Sequence, residues 1–121
     1  METITMILIG CIAAEHVFFL WMEMFAWETA GKKAFGDVLA EELFKPTKSL
    51  AANQGLYNGF LASGLLWTFF ISDTTWKVYI SVFFLGCVAI AGIYGGVTAS
   101  RKILFVQALP AIIAILLIIL S

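Results

Sequence analysis

The stretch VYISVFFLGCVAIAGIYGGVTA, residues 78–99, is 22 residues long and contains no Asp, Glu, Lys or Arg. About 20 apolar residues in a helix span a bilayer, because each adds about 1.5 Å toward a hydrocarbon core about 30 Å thick. The run therefore reads as a membrane-spanning helix. Three further runs follow the same pattern, at 4–27, 50–71 and 103–120. The last holds Pro110, which is expected to kink it. The 50–71 run opens on Asn53, Gln54, Tyr57 and Asn58, so its apolar part starts late. The expected fold is all-α, one domain over 1–121 with four transmembrane helices.

Composition agrees with that reading. Hydrophobic residues make up 62% of the chain and charged residues 12%, against about 25% charged in an ordinary soluble domain. So little polar surface would not keep a folded chain in solution. A net charge of -1 argues against nucleic acid, which requires a basic face. The lipid bilayer is the expected partner. Cys11 and Cys87 lie in apolar runs without metal or redox spacing, and are expected to be small buried apolar groups. The first run has Glu2 and no basic residue before it, so it reads as a retained helix rather than a signal peptide.

Residues 28–49 form the one long connection. Within 32–44, Phe35, Val38, Leu39, Leu43 and Phe44 recur at helical spacing among charges. They predict a short amphipathic helix at the membrane interface, ending before Pro46. Lys32, Lys33, Lys45 and Lys48 lie in this connection, and Arg101 and Lys102 in the connection 100–102. Only Lys77 falls between the second and third helices. Basic residues mark the cytoplasmic side, so both connections are expected there and both termini outside, in a multi-pass protein of the inner (plasma) membrane.

Ionisable groups inside a spanning helix are costly, and they point to function by default. The first helix carries Glu15, His16 and Glu23. His16 and Glu23, seven residues apart, lie within about 20° on the helix wheel, with Trp27 on the same face and Glu15 about 80° from Glu23. Asn53, Gln54, Tyr57 and Asn58 cover an arc of about 140° on the second helix. With Ala14 and Leu61 at the midplane, Glu23 and Asn53 fall at about the same depth, near 12–13 Å. His16 and Asn58 fall within about 5 Å of the midplane. Both polar sets then occupy the cytoplasmic leaflet and are expected to converge on one pocket, with Tyr57 and Trp27 as its walls. Small residues at Ala52, Gly55, Gly59 and Ala62, and at Gly92 and Gly96, suit close helix packing and offer faces for a homo-oligomer. Gln107 reads as an interhelical hydrogen-bonding group.

A carboxyl group in a low dielectric can hold a proton near neutral pH, and imidazole titrates there already. Such a set can shuttle protons, bind a cation or act as acid and base. Asn, Gln and Tyr add neutral donors and acceptors for the polar end of a ligand. One His with carboxylates is a weak metal signal, and no zinc or phosphate-loop spacing appears. No metal and no cofactor are expected, and no catalytic residue is assigned.

The stretch from Glu15-His16-Val17-Phe18-Phe19 to Trp27, followed by Ala52-Asn53-Gln54-Gly55-Leu56-Tyr57-Asn58-Gly59, resembles a bacterial family of small four-helix membrane proteins, domain-of-unknown-function family 1304. The resemblance covers essentially the whole chain and implies a four-helix membrane fold, with no established activity. Glu15, in Ile12-Ala13-Ala14-Glu15, is also similar in placement to the proton- and drug-binding glutamate of small multidrug resistance transporters. That likeness implies proton-coupled transport of a cationic or amphipathic molecule. The polar opening of the second helix resembles membrane-associated eicosanoid and glutathione metabolism proteins, without their basic residues for glutathione carboxylates. The leading expectation is a binder or transporter of a small amphipathic or cationic molecule, using Glu15, His16, Glu23, Trp27, Asn53, Gln54, Tyr57 and Asn58. The alternatives are a membrane enzyme using His16 and a glutamate as acid and base on a lipophilic substrate, and a structural or accessory membrane protein.

Overall fold

The computed structural model describes residues 1–121, and its regular structure is all helical, with no strand. Five α-helices follow in order: α1 (Thr3–Phe25), α2 (Ala30–Phe35), α3 (Lys48–Trp67), α4 (Thr74–Thr98) and α5 (Leu109–Leu120). Short 3-10 turns cover Glu41–Leu43 and Thr68–Phe70, and a π-helical turn covers Leu104–Ala108. Helices α1 and α4 are long and apolar enough to cross a membrane. The buried share of their apolar windows is only 28% and 33%, unlike the mostly covered core helix of a soluble protein.

The chain forms two compact units: Met1–Ala14 with Leu61–Ser121, and Glu15–Phe60. The first unit has an apolar core of Ile9, Ile12, Ala13, Leu65, Leu85, Val88, Ala89, Ala111, Ala114 and Ile118. Helix α4 starts earlier than its apolar run because Asp73 caps it, accepting the Trp76 backbone N–H at 2.9 Å. Gly92 and Gly96 then admit the chain segment before α5. A Cβ on Gly92 would stand 2.6 Å from the Ala108 backbone nitrogen, and one on Gly96 would strike Leu104. Gln107 bridges the same contact, its Nε2 donating to the Val88 carbonyl at 3.2 Å.

Pro110 acts one turn before itself. Having no N–H, it removes the bond to residue 106. The helix widens there into the π turn, and Leu109 N–H reaches back five residues to the Leu104 carbonyl. Helix α5 turns its two alanines inward and most of its large residues outward. Ala111, Ala114 and Ile118 are buried, while Leu109, Ile112, Ile113, Leu116, Ile119 and Leu120 are exposed. A soluble helix does the reverse. Lipid-facing helices show this order because small residues let backbones approach while lipid solvates the large side chains.

The second unit packs the later part of α1 against the start of α3 through glycine. A Cβ on Gly55 would lie 2.8 Å from Met24 Cγ and 3.1 Å from the Leu20 carbonyl oxygen, and one on Gly59 2.6 Å from Leu20 Cδ1. The single amphipathic helix expected over 32–44 is replaced by α2, an irregular stretch and the 3-10 turn. The cause is Trp27. Its ring packs on Phe35 (centroids 5.7 Å) and on Phe44 (5.0 Å). In one continuous helix those two residues would stand about 13 Å apart along the axis and could not both reach one indole. The break at Gly36 and Asp37 lets the chain fold back. Gly31 has no side chain to spare, since a Cβ there would be 2.7 Å from Trp27 Cε3.

Candidate functional site

All eight residues singled out in the sequence fall within the second unit, but only some of them turn inward. Glu23, on the last turns of α1, accepts a hydrogen bond of 2.6 Å from Asn58 Nδ2 on α3. Asn58 is buried and Glu23 half-buried. From the sequence, Glu23 is expected level with Asn53, and His16 level with Asn58. The helices instead slide until Gly55 and Gly59 lie under Leu20 and Met24, and this brings Asn58 to Glu23. Backbone approach at glycine sets the register; the polar groups follow it.

His16 is fully buried, and its ring meets the Phe19 ring edge-on at 5.2 Å. Its Nδ1 stands 4.0 Å from Glu15 Oε1. That is an electrostatic neighbourhood and too long for a hydrogen bond. The Glu15 side chain is 25% exposed, yet its Oε1 is covered and has no hydrogen-bond donor. The two glutamates of α1 thus differ in kind. Glu23 is tied to an amide across the helix contact, while Glu15 keeps an unfilled acceptor beside an imidazole.

Trp27 does not line a pocket with Tyr57. It is the centre of the connection, donating from Nε1 to Thr47 Oγ1 at 3.0 Å, while Thr47 donates onward to the Leu43 carbonyl at 2.7 Å. Phe44 beneath it is fully buried. Exposed ion pairs join Lys32 to Glu41 and Lys48 to Glu28, each at 3.8 Å. A cleft of about 260 Å³ opens here, lined by Lys32, Gly36, Leu39, Glu41 and Phe44. Thr47 was missed in the sequence because it lies 20 residues from Trp27 and has no local pattern that announces the contact.

Asn53, Gln54 and Tyr57 are exposed on α3, so the structure does not gather them with Glu23 and Asn58. Cys11 is exposed and Cys87 half-exposed, where both were expected to be buried. Nowhere do three His, Cys, Asp or Glu side chains come together as metal ligands would.

The arrangement defines a small all-α protein with two helices suited to crossing a bilayer, one of which carries two glutamates and a buried histidine within its length. The chain belongs to the family described as protein of unknown function (DUF1304), whose model matches residues 10–119. It is 29% identical over 117 residues to the uncharacterized protein YpaA of Lactococcus lactis subsp. lactis (strain IL1403), covering 96% of this chain and 97% of that one. No solved structure matches it.

Proposed function

We propose that the chain crosses the plasma membrane four times and binds a small amphipathic or cationic molecule, with Glu15 as the group that takes up the cation or a proton. The four-crossing reading adds α3 and the segment Leu104–Leu120 to the two longer helices. It is supported by the outward-facing Ile and Leu of α5, a surface that water would not tolerate. The basic residues of 28–49 and 100–102 then lie on the cytoplasmic side, with both termini outside.

The observation that carries the binding reading is the covered Oε1 of Glu15, which has no hydrogen-bond donor. A buried acceptor without a donor is costly, and a proton or an organic cation would satisfy it. Glu23 is assigned a different task. Its bond to Asn58 holds α1 to α3 and keeps Glu15 and His16 in place. In the enzyme alternative, His16 would have to approach a carboxylate more closely than the 4.0 Å separating it from Glu15.

The test is transport by the full chain in sealed vesicles carrying a lipophilic cation such as tetraphenylphosphonium. Cation-driven proton movement is expected in the wild type and is lost in Glu15→Gln, with the melting temperature nearly unchanged. Equal proton movement in the wild type and Glu15→Gln would remove Glu15 from the mechanism.

A further inference from the structure

The face of α3 that carries Asn53, Gln54 and Tyr57 has no use inside the chain. Helix α3 offers three side-chain amides near its start. Asn58 turns inward to Glu23, whereas Asn53 and Gln54 are exposed and have no hydrogen-bond partner in the chain. Tyr57, exposed by 50%, stands between them, and Phe60, exposed by 54%, continues the face one turn on. On the helix wheel the four side chains fill an arc of about 120°.

The opposite face of the same helix is already occupied. Gly55 and Gly59 are closed over by Leu20, Glu23 and Met24, and in the other unit Gly92 and Gly96 are closed over by Ala108 and Leu104. The glycine faces expected to hold two copies together are therefore spent on contacts within one chain. Leu50, Leu56, Leu66 and Trp67 are exposed on α3 as apolar groups, so Asn53 and Gln54 are the outward groups that apolar surroundings would leave unmatched. The helix is 20 residues long, or about 30 Å, which matches the hydrocarbon thickness. Amide groups directed at lipid along such a helix leave donors and acceptors unmatched.

We propose that this face docks on the same face of a second copy of the chain. The inference rests on the reading of α3 as a membrane-crossing helix. An amide carries two donors and an acceptor, so Asn53 and Gln54 can each give and receive. A face built from them complements itself across a twofold axis, whereas a face of one charge would repel its copy. Tyr57 at the centre supplies a flat ring for packing, with Phe60 on the apolar side.

The experiment uses the full chain in lipid nanodiscs and vesicles, with Cys11→Ser and Cys87→Ser as background. Single cysteines replace Asn53, Tyr57 and Phe60 on the proposed face, and Ile113 and Ile90 on exposed faces elsewhere. Disulfide-linked dimers are expected at 53 and 57 and at neither 90 nor 113. In the natural sequence, Asn53→Leu with Gln54→Leu is expected to weaken dimerisation about tenfold, the sum of a few interhelical polar contacts. Because both substitutions favour lipid solubility, the variant remains folded, and its helix content is the control. A monomeric wild type, cross-links confined to 90 or 113, or a dimer indifferent to the double substitution would each overturn the proposal. Labelling of Tyr57→Cys by a water-soluble maleimide separates the causes. Fast labelling of a monomer means that α3 is in water and the crossing reading has failed. Slow labelling means that α3 lies in lipid and only the docking has failed.

Discussion

The two units of this chain solve the problem of holding helices together by different means. Met1–Ala14 with Leu61–Ser121 relies mainly on shape: Gly92 on the Ala108 backbone, Gly64 on the Phe84 ring and an apolar core of Ile, Leu, Val and Ala, with Gln107 donating to the Val88 carbonyl beside them. Glu15–Phe60 relies on directed bonds as well: Asn58 to Glu23, Trp27 to Thr47, and paired lysines and glutamates in its connection. In lipid, apolar burial does little to draw helices together, so either close packing or polar contact must supply the attraction. A unit held mainly by shape has little chemistry to offer. A unit held by polar groups has side chains that can also bind or release a proton.

The contrast can be broken most sharply at glycine. Gly92→Ala would drive a methyl group into the Ala108 backbone, and is expected to cost about 1–3 kcal/mol. Gly86 in the same helix has nothing within 4 Å of a built Cβ. Gly86→Ala should therefore be neutral, or stabilising by up to about 1 kcal/mol, because alanine favours helix over glycine. Melting curves of both variants in one detergent decide it, and equal shifts would mean that shape is not what holds this unit.

The next effect lies in the polar unit. Asn58→Leu removes the donor to Glu23 and leaves a half-buried carboxylate unmatched, at an expected cost of about 1–2 kcal/mol. Introduced on top of Glu23→Leu, the same substitution should cost much less. A double-mutant cycle with no coupling would show that the bond contributes nothing to holding α1 against α3.

The smallest effect expected is at the indole. Trp27→Phe keeps a ring against Phe35 and Phe44 but loses the N–H donated to Thr47, for about 1 kcal/mol. Increased protease cleavage within residues 28–49 would report it, because that connection is built around this side chain. Unchanged cleavage would show that ring packing suffices and that the Thr47 bond is incidental.

Much of this could be read from residue order. Runs of about 20 apolar residues announce helices, since an α-helix satisfies its backbone hydrogen bonds within the run itself. The four runs at 4–27, 50–71, 78–99 and 103–120 each became helical, within a few residues of the expected bounds. The role of Gln107 as a bridge was also legible, because a lone amide in an apolar helix must find an acceptor. The π turn was not. Pro110 announced a disturbance, but whether the helix bends or widens depends on what packs beside it, and here Gly92 and Gly96 leave space for widening.

By itself, then, the sequence determined that residues 78–99 and their three counterparts are helical, and that Glu15, His16, Glu23, Trp27, Asn53, Gln54, Tyr57 and Asn58 are the groups to follow. Hydropathy and chemical type are properties of single residues and survive any arrangement. Only the tertiary structure decided which of those groups meet. The helices slide until glycine meets backbone, and that slide joined Asn58 to Glu23, left Glu15 with an open acceptor and turned Asn53, Gln54 and Tyr57 outward. Helix-wheel angle was readable along one helix, but the register between two helices is set by contacts that neither sequence segment contains alone.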